Sequence, residues 1–212
     1  NKKYNIVWIF VASNKSSLLK ESNKSRAKKI VQKSNITTAE FFTTGPGEHT
    51  NKKAIPISFP LFIKPITGGD SRGIDKNSIV YNFTNYKKKV QEIKKNQHSR
   101  CLVEKYLSGK EYSVGIFKDN ITGFIEAMPI EIIVKKNING HHILDFNIKK
   151  KDEEKVVAVL DKKIFNKLSV LAKKSFIALS GKSFGRIDFK MDHLGNPHFI
   201  EANLMPGIRK GY

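Results

Sequence analysis

Four residues near the end of the chain have the types and spacing for phosphate and metal chemistry: Arg186, Asp188, Glu201 and Asn203. They lie in FGRIDFKMDHLGNPHFIEANLMPG, residues 184 to 207. Ile187, Phe189 and Met191 alternate with Arg186, Asp188, Lys190 and Asp192, the two-residue period of a strand. After a turn-like run, His193-Leu194-Gly195-Asn196-Pro197, a second short strand carries Phe199, Ile200, Glu201, Ala202 and Asn203. Two strands joined so closely are most simply an antiparallel hairpin. With Met191 opposite His198, Asp188 faces Glu201 and Arg186 faces Asn203, so the four side chains share one face. A slip of one residue would scatter them. Two carboxylates and an amide oxygen are donors that a hard divalent cation takes, and a guanidinium beside them suits phosphate oxygens. The same pattern also fits a surface hairpin with charges on its wet face.

Other stretches carry weaker signals. Lys64 ends an apolar strand and precedes TGGDSRG, a combination that can cradle phosphate with backbone N–H groups and one ammonium. It lacks the GK[ST] of a Walker loop, and it fits an ordinary hairpin turn as well. Glu104 and Glu111 flank a strand end in VEKYLSGKE, placed either to bind ligand hydroxyl or amine groups or simply to be solvated. His141 and His142 have no third ligand at a metal-binding spacing.

These residues need a scaffold, and the chain reads as one with a true core. Its 212 residues suffice for one large or two small domains, and its hydrophobic content of 39% is that of a soluble globular protein. The apolar run at residues 6 to 12 is too short to span a membrane, and no signal-peptide pattern is present. The single cysteine, Cys101, reads as a buried core thiol, which fits a cytoplasmic protein. A net charge of +20 invites a nucleic-acid reading. Yet only five of the 39 basic residues are arginine, whereas readers of bases and phosphates lean on arginine. The charge therefore reads as lysine spread over the surface.

In chain order, residues 4 to 12 read as a buried strand and residues 16 to 32 as one helix with a basic face. Short strands follow before the Gly/Pro loop near residue 45 and at 59 to 65, then a basic helix at 85 to 97. Strands are expected at 101 to 107, 110 to 117 and 121 to 134, and a polar loop from 137 to 151. Asp161 caps a helix running to Ser180, with Ile164, Leu168, Leu171 and Ile177 on its core side and Gly181 as its stop.

The order of these pieces resembles the ATP-grasp superfamily, and within it the D-alanine:D-alanine ligases and related carboxylate-amine ligases. The resemblance runs from about Asn23 to Gly207, and its last segment is the most specific. It implies an α+β fold in which two subdomains hold ATP between them. Residues 1–22 would be a remnant of an N-terminal domain, 23–107 the first subdomain and 108–212 the second, which carries the metal site. It places Lys28 and Lys64 on the ATP phosphates. Backbone groups of Glu104, Lys105, Tyr106 and Leu107 would read the adenine, with Glu111 on the ribose and Ile200 among the nucleotide contacts. Asp188, Glu201 and Asn203 become ligands of Mg2+ or Mn2+, Arg186 the phosphate arginine and Lys149 the lysine of a mobile loop.

The implied activity is ATP-dependent amide or peptide bond formation through an acyl phosphate, with small carboxylate and amine substrates. A homodimer is compatible with it. Three positions depart from the ligase pattern: Asp70-Ser71 stand for paired serines, Lys150 for a tyrosine, and Tyr212 near a serine. They concern the amino-acid substrates and leave their identity open. The chain also reads as incomplete at both ends. The alternatives are a ligase acting on a non-peptide substrate, a nucleotide-binding module without catalysis and, on charge alone, a nucleic-acid binder.

Overall fold

The computed structural model describes residues 13–135, 140–151 and 153–207. The strand expected at 4 to 12 and the position of Tyr212 lie outside them. Two antiparallel sheets organise the described residues. The first contains β1 (Phe41–Thr44), β2 (Leu61–Pro65), β3 (Ile79–Val80) and β4 (Cys101–Lys105), in the order β1-β4-β2-β3. The second contains β5 (Glu111–Lys118), β6 (Ile125–Ile133), β7 (Lys155–Ala158), β8 (Phe184–Met191) and β9 (Pro197–Asn203), in the order β7-β6-β5-β8-β9. The fold is α+β, as the resemblance implies.

Each sheet buries one face under helix. Helix α3 (Phe83–Gln97), capped by the Asn82 side chain on the Asn85 N–H, sets Tyr86, Val90 and Ile93 against Leu61, Ile63, Cys101 and Val103. Helix α5 (Lys162–Ala178) starts at Asp161, whose carboxylate accepts from the N–H groups of Lys163 and Ile164. Its Leu168, Ala172 and Phe176 pack under Tyr112, Val114, Ile187 and Phe189. Leu168 was expected there, but Ile177 is 61% exposed. The buried positions 168, 172, 175 and 176 trace a stripe that excludes residue 177.

The expected helix at 16 to 32 is two helices, α1 (Lys15–Glu21) and α2 (Lys24–Lys33). The break is at Asn23, whose side chain caps α2 through the Arg26 N–H and whose backbone bridges to Thr67. A capping asparagine and a tertiary partner outweigh a continuous periodicity. Ala27 and Val31 of α2 enter the core of the second sheet, although α2 precedes the first sheet in the chain. The expected polar loop at 137 to 151 contains α4 (Phe146–Lys151), and β7 follows with all four residues exposed. An exposed edge strand leaves no alternation to read.

Chain passes between the sheets from Lys105 to Glu111. Gly109 permits the crossing: its N–H donates to the Met191 carbonyl, and a Cβ there would lie 2.6–2.7 Å from Met191 and the Asp192 carbonyl. No helix among the described residues is long and apolar enough to cross a membrane.

Candidate functional site

The free faces of the two sheets enclose a cleft of about 1310 Å³. Strand parity decides what reaches it. On β2, Leu61 and Ile63 join the core while Phe62 and Lys64 line the cleft. On the second sheet the ladders run Asn203–Arg186–Gly115–Met128, then Glu201–Asp188–Ser113–Ile130, then His198–Lys190–Glu111–Ile132. The cleft floor therefore carries Arg186, Asp188 and Lys190 on β8, Glu201 and Asn203 on β9, and Gly115, Ser113 and Glu111 on β5, and is apolar on β6.

Asp188 does face Glu201, and Arg186 does face Asn203, but not through the expected register. Met191 pairs with Pro197, and His198 pairs with Lys190. The ladder shifts by one residue between Asp188 and Phe189, leaving Ile200 as a bulge. Two demands conflict along β9. Phe199 must meet Phe189 in the core, where their rings stand edge to face at 6.3 Å, and Glu201 must meet Asp188 above it. In an unbulged ladder continuing from Phe189–Phe199, Asp188 would face Ile200. The bulge satisfies both, and Ile200 then lines the cleft.

The Asp188 carboxylate is held by Arg186, at 3.1 and 3.2 Å from Nε and 3.1 Å from Nη2, and by the Ser113 hydroxyl at 2.6 Å. Glu201 is 3.4 Å from the Lys24 ammonium. Burial pushes the Glu201 carboxyl up, but Lys24, Lys64, Lys149 and Arg186 together hold it below the usual range. Nearby, burial raises the Glu21 carboxyl, although it accepts from the Leu204 N–H at 2.7 Å. Asn203 Oδ1 accepts from the Met205 N–H.

The opposite wall holds a buried cluster. Glu104 gives one carboxylate oxygen to Lys28 at 2.5 Å and the other to Lys64 at 2.8 Å. Lys28 also donates to the Phe199 carbonyl at 2.9 Å. Burial would raise the Glu104 carboxyl, but the two ammoniums override it and hold it at about 2. Burial lowers Lys28 against the pull of Glu104, whereas Glu104 and Glu201 outweigh burial at Lys64 and raise it.

All the residues expected at the site line this one cleft. Two differ in geometry from the expectation. The Lys28 ammonium, expected on phosphate, is 1% exposed and is taken by Glu104 and Phe199. Glu104, expected to present backbone to a base, lies in a strand flanked on both sides, and its side chain faces the cleft wall. Lys105, Tyr106 and Leu107 follow at the strand end, where the Tyr106 N–H donates to Pro60. Glu111 pairs with Lys190 at 2.9 Å. Lys149 reaches the cleft from α4. Among the described residues no group of three His, Cys, Asp or Glu side chains is placed to hold a metal ion. The His142 ring instead donates to the Val134 carbonyl.

Sequence reasoning missed Lys24, Ser113 and Lys190. Lys24 was legible in NKSRAK, since residues 24 and 28 share a helix face and the one nearer the helix start could reach further out. Ser113 and Lys190 were not, because their roles depend on the β5–β8 pairing. In the glycine loop, Asp70 and Ser71 both adopt left-handed backbone, with φ of 55° and 54°, and Ser71 donates to the Leu144 carbonyl.

The sequence profile of the D-ala D-ala ligase C-terminus family matches residues 30–210. The D-alanine–D-alanine ligase of Aquifex aeolicus is 31% identical over 189 residues, covering 88% of this chain and 59% of that protein. This chain thus spans less than two thirds of the relative's length. A solved D-Ala:D-Ser ligase from Enterococcus faecalis superposes with a TM-score of 0.75 at 21% identity, over 93% of this chain and 56% of that one. A Bacillus anthracis D-alanine–D-alanine ligase solved with ATP gives 0.72 at 22% identity, over 93% and 59%.

Proposed function

The chain belongs to the D-alanine–D-alanine ligase C-terminal domain family, and from that premise we propose that it carries the ATP site of a carboxylate-amine ligase. The observation that carries the reading is the square of Arg186, Asp188, Glu201 and Asn203 on the cleft floor, facing the Lys64 wall. In the proposed reaction a carboxylate oxygen attacks the γ-phosphorus of ATP, ADP leaves, and an acyl phosphate forms. An amine then displaces phosphate, leaving an amide. The enzyme's part is positioning and charge neutralisation.

The donor set fits a hard divalent cation: two carboxylates facing each other and an amide oxygen beside them. Asp188, Glu201 and Asn203 would hold Mg2+ or Mn2+. When bound, the ion neutralises polyphosphate charge. Arg186 now spends its fork on Asp188. Exchanging that partner for γ-phosphate oxygens would free Asp188 for the cation and keep the guanidinium paired. Lys24, Lys64 and Lys149 add positive charge along the same path. Glu111 is placed for ribose hydroxyls, and Lys105 to Leu107 for the base.

The product class is a dipeptide or peptide-like amide made from small substrates in the cytoplasm. The test is ADP release from ATP and Mg2+ with pairs of candidate amino acids. Turnover that needs both an acid and an amine supports the ligase. ATP binding without turnover for any pair would favour a non-catalytic nucleotide module, and absent ATP binding would end the reading.

A further inference from the structure

Both lysines expected on phosphate pair with Glu104, and Lys28 is tied down further by the Phe199 carbonyl. Lys28 lies one helical turn below Lys24 on α2, but Lys24 meets Glu201 at the cleft whereas Lys28 is 1% exposed. Three elements converge on its ammonium. Glu104 of β4 takes it at 2.5 Å, the Phe199 carbonyl of β9 accepts at 2.9 Å, and the rings of Phe41 and Phe199 lie 5.7 and 6.0 Å away. Burying an ammonium is costly unless it is paired and hydrogen-bonded, and here both conditions are met.

These partners link Lys28 to two parts of the floor and wall. Glu104 has two oxygens and two lysines. Lys28 takes one, so the wall retains the net charge of one ammonium, carried by Lys64 beside the cleft. Without Lys28, Glu104 and Lys64 would form a neutral pair. On the other side, Phe199 immediately precedes the Ile200 bulge that sets Glu201 opposite Asp188. Its N–H donates to Thr37 and its carbonyl accepts from Lys28, so both of its backbone groups are tied to the segment formed by α2 and the residues after it.

We propose that Lys28 is a positioning residue that never touches nucleotide: through Glu104 it keeps Lys64 available to phosphate, and through Phe199 it braces the bulge that presents Glu201. This rests on the nucleotide reading above. The test compares ATP affinity by calorimetry in wild type, Lys28→Met, and Lys28→Met combined with Glu104→Gln. The double variant removes one positive and one negative charge and leaves Lys64 with the original net charge. Lys28→Met should weaken ATP binding on the order of tenfold, the scale of one charge lost near an anionic ligand, and the double variant should recover most of it. A phosphate-contacting Lys28 predicts the same loss in both variants, and that result would overturn the proposal, as would unchanged affinity in Lys28→Met. If the single variant does not fold, wild type against the double variant still decides: affinity within a few-fold of wild type supports the proposal, and a full tenfold loss overturns it.

Absent ATP binding in the wild type would sink the functional reading instead. The role of Lys28 would then be judged from a crystal structure of Lys28→Met. Glu104 should turn both oxygens to Lys64 and the Ile200 bulge should shift; an undisturbed wall and hairpin would refute it.

Discussion

The cleft has two charged regions built in opposite ways. The floor square comes from two adjacent strands, and apart from the buried Asp188 its residues keep partial access to solvent: the Arg186 side chain is 32% exposed and Glu201 29%. The wall cluster comes from α2, β2 and β4, and Lys28, Lys64 and Glu104 are all nearly sealed. Partly solvated groups can exchange partners at low cost, which suits a site that must admit a ligand. Sealed charges depend on one another, because a buried ion that loses its partner retains its desolvation penalty. The floor should therefore be tunable for chemistry, and the wall should behave as part of the core.

The largest test of that contrast is Glu104→Ala. It leaves two buried ammoniums without their carboxylate and should cost about 3–5 kcal/mol of stability, measured by denaturant unfolding. A loss below about 1 kcal/mol, the range of surface ion pairs, would erase the distinction between wall and floor. The same pair should appear in the acid limb of stability. Glu104 sits at about 2 when folded against an ordinary 4.5. The unfolded chain thus takes up this proton first, and the contribution is full above about 4.5 and fades as pH falls towards 2. Wild type should lose more stability across that window than Glu104→Gln.

On the floor, Arg186→Lys should spare the fold and damage turnover. A loss of about 10²-fold in kcat with little change in KM for ATP is expected if the fork serves the transferring phosphoryl group. A lowered Tm with normal kcat would instead make the Arg186–Asp188 pair structural. Smaller again is Glu111→Ala, which should weaken ATP binding by about 1–3 kcal/mol. Unchanged affinity by calorimetry would remove Glu111 from the ribose site. Asp161→Ala lies outside both regions and removes the α5 cap. A stability loss of about 1 kcal/mol with ATP affinity intact would calibrate the other variants.

Two features marked the floor in the sequence: alternation within a hairpin and charged side chains at matching offsets. The hairpin geometry was readable because its contacts are short-range, yet even there the Met191–His198 pairing was off by one. Nothing local announces the Ile200 bulge. It arises because Phe199 is drawn into a core completed by α2 and α5, elements far away in the chain.

What the sequence determined by itself was most of the strands, the α5 cap and the charged hairpin, since periodicity and capping act over a few residues, while the resemblance to a known family implied the class of fold and the other expected cleft residues. Tertiary structure alone decided which lysine faces the cleft and which is buried. Lys24 and Lys28 have the same chemistry and share a helix face. Only the docking of α2 against β9, with Glu104 brought over from β4, seals one ammonium and leaves the other beside Glu201. Burial is a property of the assembled layers, so residue type and spacing could not assign it.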